Sequence, residues 1–342
     1  MLHVGMDMHK KFSVVTVTDG EGAELVKGRR LNNIEEEIRG FFDEFDDEIR
    51  VVLEAGPSWH WMCDLLDELK IDNRLCHPLK TRAIASARIK TDKLDSAILS
   101  HLDRMDFIPE AHKADTETRH LRELLRYRMA LVRVRTGIKN RVHAMLAKLN
   151  IDNPYSDLFG KAGVGHLKNL DLSPPYRDSL DGYLAIINVL NVEIAKAERV
   201  VEATFEDSAD AQLLSTIPGV GPLLALTIAA EIDDVGRYPS SKHLASSSGL
   251  VPSTSQSGNH SYHGNITRQG SAWLRWALVE AAIHTVRYPG PVKDYYLKLA
   301  KRKGKKIARV AAARKLSTYV YHMLKERKDY RHIIEFLKSD LG

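Results

Sequence analysis

Residues 2–18 read LHVGMDMHKKFSVVTVT, and this stretch decides the fold class of the N-terminal region. Segments 2–7 and 12–18 are short and rich in β-branched residues, which favours two strands. The turn-forming sequence DGEG at 19–22 follows, and residues 23–31 complete an expected β-meander.

Helices and strands alternate in the sequence that follows the meander. Residues 33–48 place apolar side chains at helical spacing, and RVVLE at 50–54 is typical of a buried strand. A helix near 59–70 and a short strand near 73–76 come next. This alternation predicts an α/β layer with a sheet core.

Length and composition describe an ordinary folded protein. The chain has 342 residues, 44% of them hydrophobic and 28% charged, which excludes a wholly disordered chain and suggests about two domains. No stretch has the roughly 18 consecutive apolar residues of a membrane span, and the first residues lack the apolar core of a signal peptide. Two cysteines are too few for a disulfide scaffold or a four-cysteine zinc site. We therefore expect a reduced, cytoplasmic protein with no membrane partner.

The net charge of +5 is unevenly distributed. Residues 1–60 carry a net charge of −6, whereas residues 113–150 carry +7 and residues 287–328 carry +12. Two basic blocks suggest a polyanion partner such as nucleic acid. The alternative is a solvated, basic helix surface.

A long basic helix is expected over residues 116–149. Its apolar residues recur every seven positions, at Leu124, Leu131, Ile138 and Met145. This spacing indicates a coiled coil, formed as a hairpin or between chains, although a helix packed within its own domain has the same pattern. Residues 150–182 are rich in Pro and Gly and predict a loop-rich connector, and residues 183–205 return to helix.

The C-terminal third contains a glycine-rich turn and several helices. IPGVG at 217–221 is similar to a helix-hairpin-helix turn, in which backbone N–H groups of Gly219 and Gly221 would face a phosphate. A tight turn between packed helices is the alternative. An apolar helix at 273–286 and one or two basic helices at 292–328 follow. We expect the four tryptophans to belong to the core and not to stack on bases; they are Trp59, Trp61, Trp273 and Trp276.

Four carboxylates stand out by their positions. Asp7 and Glu54 end apolar strands, where a carboxylate is costly unless it is paired or bound to a cation. Asp92 and Asp95 are three residues apart and would share one helix face. Together they have the chemistry of an oxygen-ligand site for Mg²⁺ or Mn²⁺, which can promote phosphoryl transfer. Taken singly, each is equally typical of a turn, a cap or an exposed helix.

Residues 249–270 contain many hydroxyl groups beside His260, His263 and Arg268. A serine nucleophile needs a base or a metal nearby. The residues alone do not choose among Ser253, Ser255, Ser257 and Ser261, and on composition alone a polar surface loop is the favoured interpretation.

Taken in order, five motifs resemble the insertion-sequence 110 family of transposases. VGMDMHK at 4–10, LEAGPSW at 53–59 and KTDKLDSAIL at 90–99 are similar to its Asp-Glu-Asp-Asp signature. IPGVGPLLALTIAAEI at 217–232 and the segment 249–282 are similar to its C-terminal part.

The resemblance implies an α/β RNase H-like (RuvC-like) N-terminal domain, a helical coiled-coil middle and a mainly α C-terminal transposase domain. It implies that Asp7, Glu54, Asp92 and Asp95 bind metal and that Ser257, in Gln256-Ser257-Gly258, attacks DNA. It also implies a homo-oligomer, dimer to tetramer, and an element-encoded non-coding guide RNA beside donor and target DNA.

On this basis we expect three regions: a RuvC-like domain at 1–112, a basic coiled-coil region at 113–205 and a transposase domain at 206–342. Besides Gly219 and Gly221, the residues expected to contact nucleic acid are Arg126, Arg133, Lys139, Arg141, Arg268, Lys301, Arg302, Lys305 and Lys306.

The expected function is a site-specific DNA recombinase of an insertion sequence, using Mg²⁺ and a phosphoserine–DNA intermediate. One alternative is a metal-dependent DNA junction nuclease that uses water and leaves Ser257 dispensable. Another is a nucleic-acid-binding protein without chemistry, in which the acids are structural.

Overall fold

The computed structural model describes residues 1–56, 58–85, 91–257 and 260–339 of the chain. It divides into two compact units, Met1–Ala114 and Asp115–Gly342. The first unit is mixed α/β and the second is mostly helical. The expected division of the second part at residues 205 and 206 stays a prediction.

The first unit is built on a six-stranded sheet. Its strands are β1 (Leu2–Met8), β2 (Phe12–Thr18), β3 (Glu24–Asn32), β4 (Ile49–Glu54), β5 (Asp72–Cys76) and β6 (Glu110–Ala111). They lie in the order β3-β2-β1-β4-β5-β6. The first three strands form the expected antiparallel meander, β1, β4 and β5 are parallel, and β6 is antiparallel.

Within the described part of the first unit, four helices accompany this sheet: α1 (Glu35–Phe42), α2 (Trp59–Glu68), α3 (Pro78–Ile84) and α4 (Asp92–Arg104). The expected helix over 33–48 is shorter, and it ends at Phe42. The next residues include four acids, Asp43, Glu44, Asp46 and Asp47, and acidic side chains are unfavourable at the negative end of a helix dipole. Phe45 still packs on the core beside Ile38 and Phe41 without extending the helix.

The two faces of β1 have different partners because side chains alternate along a strand. Val4 and Met6 are fully buried in the apolar core beneath the sheet. On the other face Gly5 lies against α4, so closely that a Cβ at Gly5 would be 1.9 Å from the Ser96 carbonyl oxygen. The first unit therefore needs a glycine at this position.

Hydroxyl groups fix α4 on the sheet. The side chains of Thr16 and Ser96 are 2.8 Å apart, as are those of Thr18 and Ser100, and all four are buried. A network of small, hydrogen-bonded side chains thus replaces an apolar contact between this helix and β2.

The second unit begins with two long antiparallel helices. Its elements are α5 (Thr116–Lys148), α6 (Lys161–Asn169), α7 (Pro174–Asp207), α8 (Ala209–Ser215), α9 (Pro222–Ile232), a 3₁₀ turn (Val235–Arg237), α10 (Ser241–Ser247), β7 (Pro252–Ser257), β8 (His260–Ile266), α11 (Ala272–Thr285), α12 (Pro291–Lys303), α13 (Lys305–Glu326) and α14 (Tyr330–Ser339). Arg128 pairs with Glu198, and Arg135 donates to Asn191 over 2.8 Å, so α5 and α7 run in opposite directions.

The region expected to be a loop-rich connector is more helical than its composition indicates. It contains α6 and the start of α7. Pro174 and Pro175 occupy the first turn of α7, where proline is tolerated because those N–H groups have no partner inside the helix. The prolines therefore begin a helix that was expected to start at residue 183.

The C-terminal helices surround a common apolar core, to which Leu226, Leu278 and Leu316 contribute fully buried side chains. Gly304, with a φ of 83°, separates α12 from α13 and resolves the basic segment into two helices. Among the described residues, no helix is both long enough and apolar enough to cross a membrane.

Candidate metal centre and nucleic-acid surfaces

Asp7 and Glu54 lie at the same edge of the sheet. β1 and β4 are parallel neighbours in which Met6 pairs with Leu53, so Asp7 and Glu54 are the next positions on the two strands. Carboxyl ends of parallel strands meet at one edge, which is where open α/β sheets place their ligands. Sheet register therefore brings together two acids that are 47 positions apart in sequence.

The first turn of α4 carries the other two acids, Asp92 and Asp95. Thr91 caps this helix, and its hydroxyl accepts a hydrogen bond from the Leu94 N–H over 3.2 Å. The Gly5 contact holds the helix against β1. α4 carries Asp92 and rests directly on β1, which carries Asp7. Asp92 Oδ2 therefore comes close to the end of β1.

His9 is a member of this cluster that the sequence analysis missed. Its Nε2 lies 3.3 Å from Asp7 Oδ2 and 3.0 Å from Asp92 Oδ2. The backbone of His9 closes the β1–β2 turn by donating to the Phe12 carbonyl, and Asn33 donates to the His9 carbonyl. The available signal was its spacing, since residues two apart share one strand face.

The other three acids act on the ionisation of Asp7. Burial raises the pKa of Asp7, and the negative charges of Asp92, Asp95 and Glu54 raise it further. His9 acts in the opposite direction and lowers the pKa of Asp7. A partly buried carboxylate that feels the negative charge of three others is a site at which a cation relieves repulsion.

The donor set fits a hard divalent cation. Ligand atoms of Asp7, His9 and Asp92 all lie within 4.8 Å of one another. Carboxylate oxygens are the ligands that Mg²⁺ and Mn²⁺ prefer, and an imidazole nitrogen is compatible with Mn²⁺. The fold thus places Asp7 and Asp92 in one cluster with His9, and the charges of Glu54 and Asp95 also act on Asp7.

We expect Asp7→Asn to raise the melting temperature of the metal-free protein at neutral pH. The folded state raises the pKa of Asp7 from 3.8, so the folded protein holds this proton more tightly than the unfolded chain does. Ionisation of Asp7 therefore destabilises the fold. The penalty is absent well below pH 3.8 and complete once the pH exceeds the raised value.

Calorimetry in a chelating buffer, from about pH 4 to pH 8, measures this effect. The difference between Asp7→Asn and wild type should grow with pH, and a constant difference would contradict the assignment. Asp19→Asn is a control of opposite sign. Backbone N–H groups of Ala23 and Gly22 lower the pKa of Asp19, so its ionised form stabilises the fold.

The serine segment forms a β-hairpin and not an irregular polar loop. β7 and β8 are antiparallel, and the backbone of Ser257 pairs with that of His260. Ser257 is therefore the last residue of β7. The described residues do not include Gly258, nor the side chains of Ser257, Ser255, Ser261, His260 and His263. Ser253 is exposed.

The glycine-rich turn connects α8 to α9. Gly219 has a φ of 84°, and a Cβ there would be 3.0 Å from His284, so packing and backbone conformation both require glycine. Gly221 precedes Pro222 at the start of α9, and a Cβ there would meet nothing within 4 Å. Both glycines are exposed, and only Gly219 is required to be glycine by its surroundings.

The expected basic residues fall into distinct environments. Arg126 pairs with the buried Glu231 over 2.8 Å, and the ammonium of Lys139 lies 4.7 Å from the Phe159 ring centroid. Arg268 is exposed, although its backbone joins the Gly249 carbonyl. The remaining cations are exposed, namely Arg133 and Arg141 on α5 and Lys301, Arg302, Lys305 and Lys306 around the corner between α12 and α13.

Comparisons with known proteins identify both parts of the chain. Residues 4–151 match the DEDD transposase domain of IS110, and residues 211–297 match the family described as Transposase IS116/IS110/IS902. Together these matches cover about two thirds of the chain.

Three relatives illustrate the similarity. A probable family 20 transposase of Pseudomonas aeruginosa is 26% identical, over 96% of this chain and 98% of its own. The transposase for insertion sequence element IS1111A of Coxiella burnetii is 26% identical, over 82% and 79%. The pilin gene-inverting protein of Moraxella bovis is 28% identical, over 82% of each chain.

The first unit has a mixed sheet with acids at one edge, and its sequence matches a DEDD transposase domain. Together these define an RNase H-like enzyme of DNA transposition. Such domains use divalent metal ions for phosphoryl transfer. The chain belongs to the IS110 family of transposases.

Proposed function

We propose that the chain is the recombinase of an insertion sequence and that it cuts and rejoins DNA through Ser257. The observation that carries the proposal is the cluster of Asp7, His9 and Asp92, within 4.8 Å of one another and beside Glu54 and Asp95. Asp7, Glu54, Asp92 and Asp95 would hold Mg²⁺, or Mn²⁺ in its place. The metal would supply Lewis-acid polarisation of the scissile phosphate.

The chemistry of Ser257 is a pair of phosphoryl transfers. The Ser257 hydroxyl gives up its proton, its oxygen bonds to phosphorus, and the bond to one sugar oxygen breaks. That sugar oxygen takes up a proton. A second DNA hydroxyl then attacks the phosphoserine, and the serine oxygen regains its proton. Each step exchanges one phosphodiester for another, so no external energy source is needed.

Covalent trapping tests the nucleophile. Protein, end-labelled donor DNA, target DNA, the RNA encoded beside the gene and Mg²⁺ are mixed, denatured and resolved on a gel. We expect a metal-dependent labelled protein band that Ser257→Ala abolishes and Ser253→Ala retains, since Ser253 is an exposed serine on the same strand. Equal amounts of free cleaved ends in wild type and Ser257→Ala, with no band, would favour the junction nuclease that uses water.

An oligomer and a guide RNA complete the proposal. Apolar side chains on α5 and α7 are exposed, including Val134 (52%), Val189 (59%) and Val192 (49%), which supports coiled-coil contact with another copy. The exposed cations around the corner between α12 and α13 support RNA or DNA backbone binding.

Neutralising Lys305 and Lys306 together is expected to lower the affinity for RNA and to make that affinity less sensitive to salt. Each lost phosphate contact should reduce the slope of log K against log salt by about 0.7 to 0.9. Electrophoretic titrations of Lys305→Gln/Lys306→Gln at several salt concentrations measure this slope. Lys196→Gln is the control, because Lys196 already pairs with Glu193. An unchanged slope in the double variant would remove this corner from the RNA interface.

A further inference from the structure

A pocket of about 460 Å³ lies between α5 and α11 in the second unit. Its apolar lining includes Met129 and Val132 of α5 and both tryptophans of α11, Trp273 and Trp276. Arg128 and Arg133 add positive charge to the α5 side. The volume falls in the range of small-molecule sites.

The two tryptophans form a right-angled corner of the pocket. They are three residues apart on α11, their ring centroids are 6.3 Å apart, and their planes meet at 84°. Both tryptophans are partly buried, and Trp276 packs against the apolar core as the sequence suggested. A flat aromatic ligand can stack on one indole and present its edge to the other.

Arginines beside this corner have unused hydrogen-bonding capacity. Arg128 pairs with Glu198, yet its Nε is a buried donor with no hydrogen-bond partner among the described residues. The same holds for Nε of Arg126, whose guanidinium lies 5.8 Å from the Trp273 ring centroid. Arg133 is exposed. Carbonyl or phosphate oxygens on an occupant would match the positive charge that Arg128 and Arg133 bring to the pocket lining, and a purely apolar occupant would not.

The α11 wall of the pocket is held in place by a buried carboxylate. Glu231 on α9 accepts from Arg126 over 2.8 Å and from the Ser271 hydroxyl over 2.7 Å. Ser271 also caps α11, accepting from the Leu274 N–H. The first turn of α11, which carries Trp273, is thereby tied to α5 and α9, so the corner exists before any ligand arrives.

We infer that this pocket binds one unpaired nucleobase of a single-stranded nucleic acid, stacked on Trp273, with Arg128 and Arg133 beside the strand. Aromatic platforms flanked by cations are the general solution for binding single strands, and a base stacked within a duplex cannot enter. The inference rests on the proposed function only for the presence of nucleic acid, and DNA and RNA share the chemistry that it requires.

The test uses the full chain and short single strands that carry one 2-aminopurine, in a deoxy series and a ribo series. We expect wild-type protein to quench 2-aminopurine emission as the base stacks on Trp273. Trp273→Leu should lose the quenching and bind single strands at least about fivefold more weakly, while Trp273→Phe keeps part of both. Duplex affinity should not change.

Two further variants make the result specific. Arg133→Ala, an exposed change on α5, should weaken single-strand binding without unfolding the pocket. Trp61→Leu removes an indole that is 38% exposed in the first unit and should have no effect. Whichever of the two series is quenched identifies the strand that the pocket serves.

Wild-type quenching and affinity in Trp273→Leu, or no quenching by the wild type in either series, would overturn the inference. Covalent trapping of the wild type is scored separately. A covalent band without 2-aminopurine quenching would reject the pocket and retain the recombinase. Quenching without a covalent band or cleavage would retain the base-binding pocket and reject the recombinase.

Discussion

Asp7→Asn is expected to reduce DNA strand cleavage by about 10²- to 10³-fold or more and to leave nucleic-acid affinity unchanged. The amide keeps the size of the carboxylate and removes its charge. Asp7 and Asp92 both pair with His9. The side chain of Asp7 is 16% exposed, whereas that of Asp92 is 49% exposed. It is also the group on which the charges of Glu54, Asp92 and Asp95 act together. Its loss should therefore weaken metal binding most.

Single-turnover cleavage with saturating Mg²⁺ measures the rate, and Mn²⁺ titration followed by electron paramagnetic resonance measures metal binding independently. Glu36→Gln, an exposed acid in the first turn of α1, is the control for loss of one negative charge. Cleavage at the wild-type rate by Asp7→Asn would contradict the assignment of Asp7 to a metal centre.

The second large effect is expected for Gly5→Val. The first carbon of the new side chain would lie 1.9 Å from the Ser96 carbonyl oxygen and 2.5 Å from the Ser100 nitrogen, and both atoms are backbone. Since a helix backbone cannot yield as a flexible side chain does, α4 must move away from β1. We expect a loss of about 1–3 kcal/mol or more in the free energy of unfolding of the first unit, and a loss of metal affinity as Asp92 and Asp95 shift.

Gly40→Ala is the matched control for Gly5→Val. Gly40 is exposed in α1, and a Cβ there meets nothing within 4 Å, so alanine should stabilise this helix by about 0.5–1 kcal/mol. Urea unfolding and Mn²⁺ titration of both variants measure the two effects. Gly5→Val with wild-type stability and metal affinity would show that α4 is not held as described.

Much of the first unit could be predicted from sequence because its signals are local. The β-branched runs predict β1 and β2, and the strand ends predict the positions of Asp7 and Glu54. The meeting of Asp7 with Asp92 was not a local property. It depends on the sheet register and on the Gly5 contact with α4, for which the sequence offered only a family resemblance. His9 escaped notice because its partners come from two separate elements.

The second unit was harder to predict because tertiary contacts outweigh local composition there. Glycine and proline made residues 150–182 look irregular, yet Leu158, Leu167 and Leu180 bury their side chains with Val142 of α5, and this packing supports helices. Trp273 and Trp276 have the spacing of core residues. Both also line the pocket beside α5, which no pattern within α11 reveals.

The close contact between Gly5 and α4 also bears on how copies of such a mobile gene decay. Position 5 is not one of the four acids proposed to bind metal, so a comparison of those acids alone would overlook it. A genomic copy with all four acids intact and a larger residue at position 5 should nevertheless encode an inactive protein. Screening copies at this position, and at Ser96 and Ser100, would separate elements that can still transpose from inactive copies.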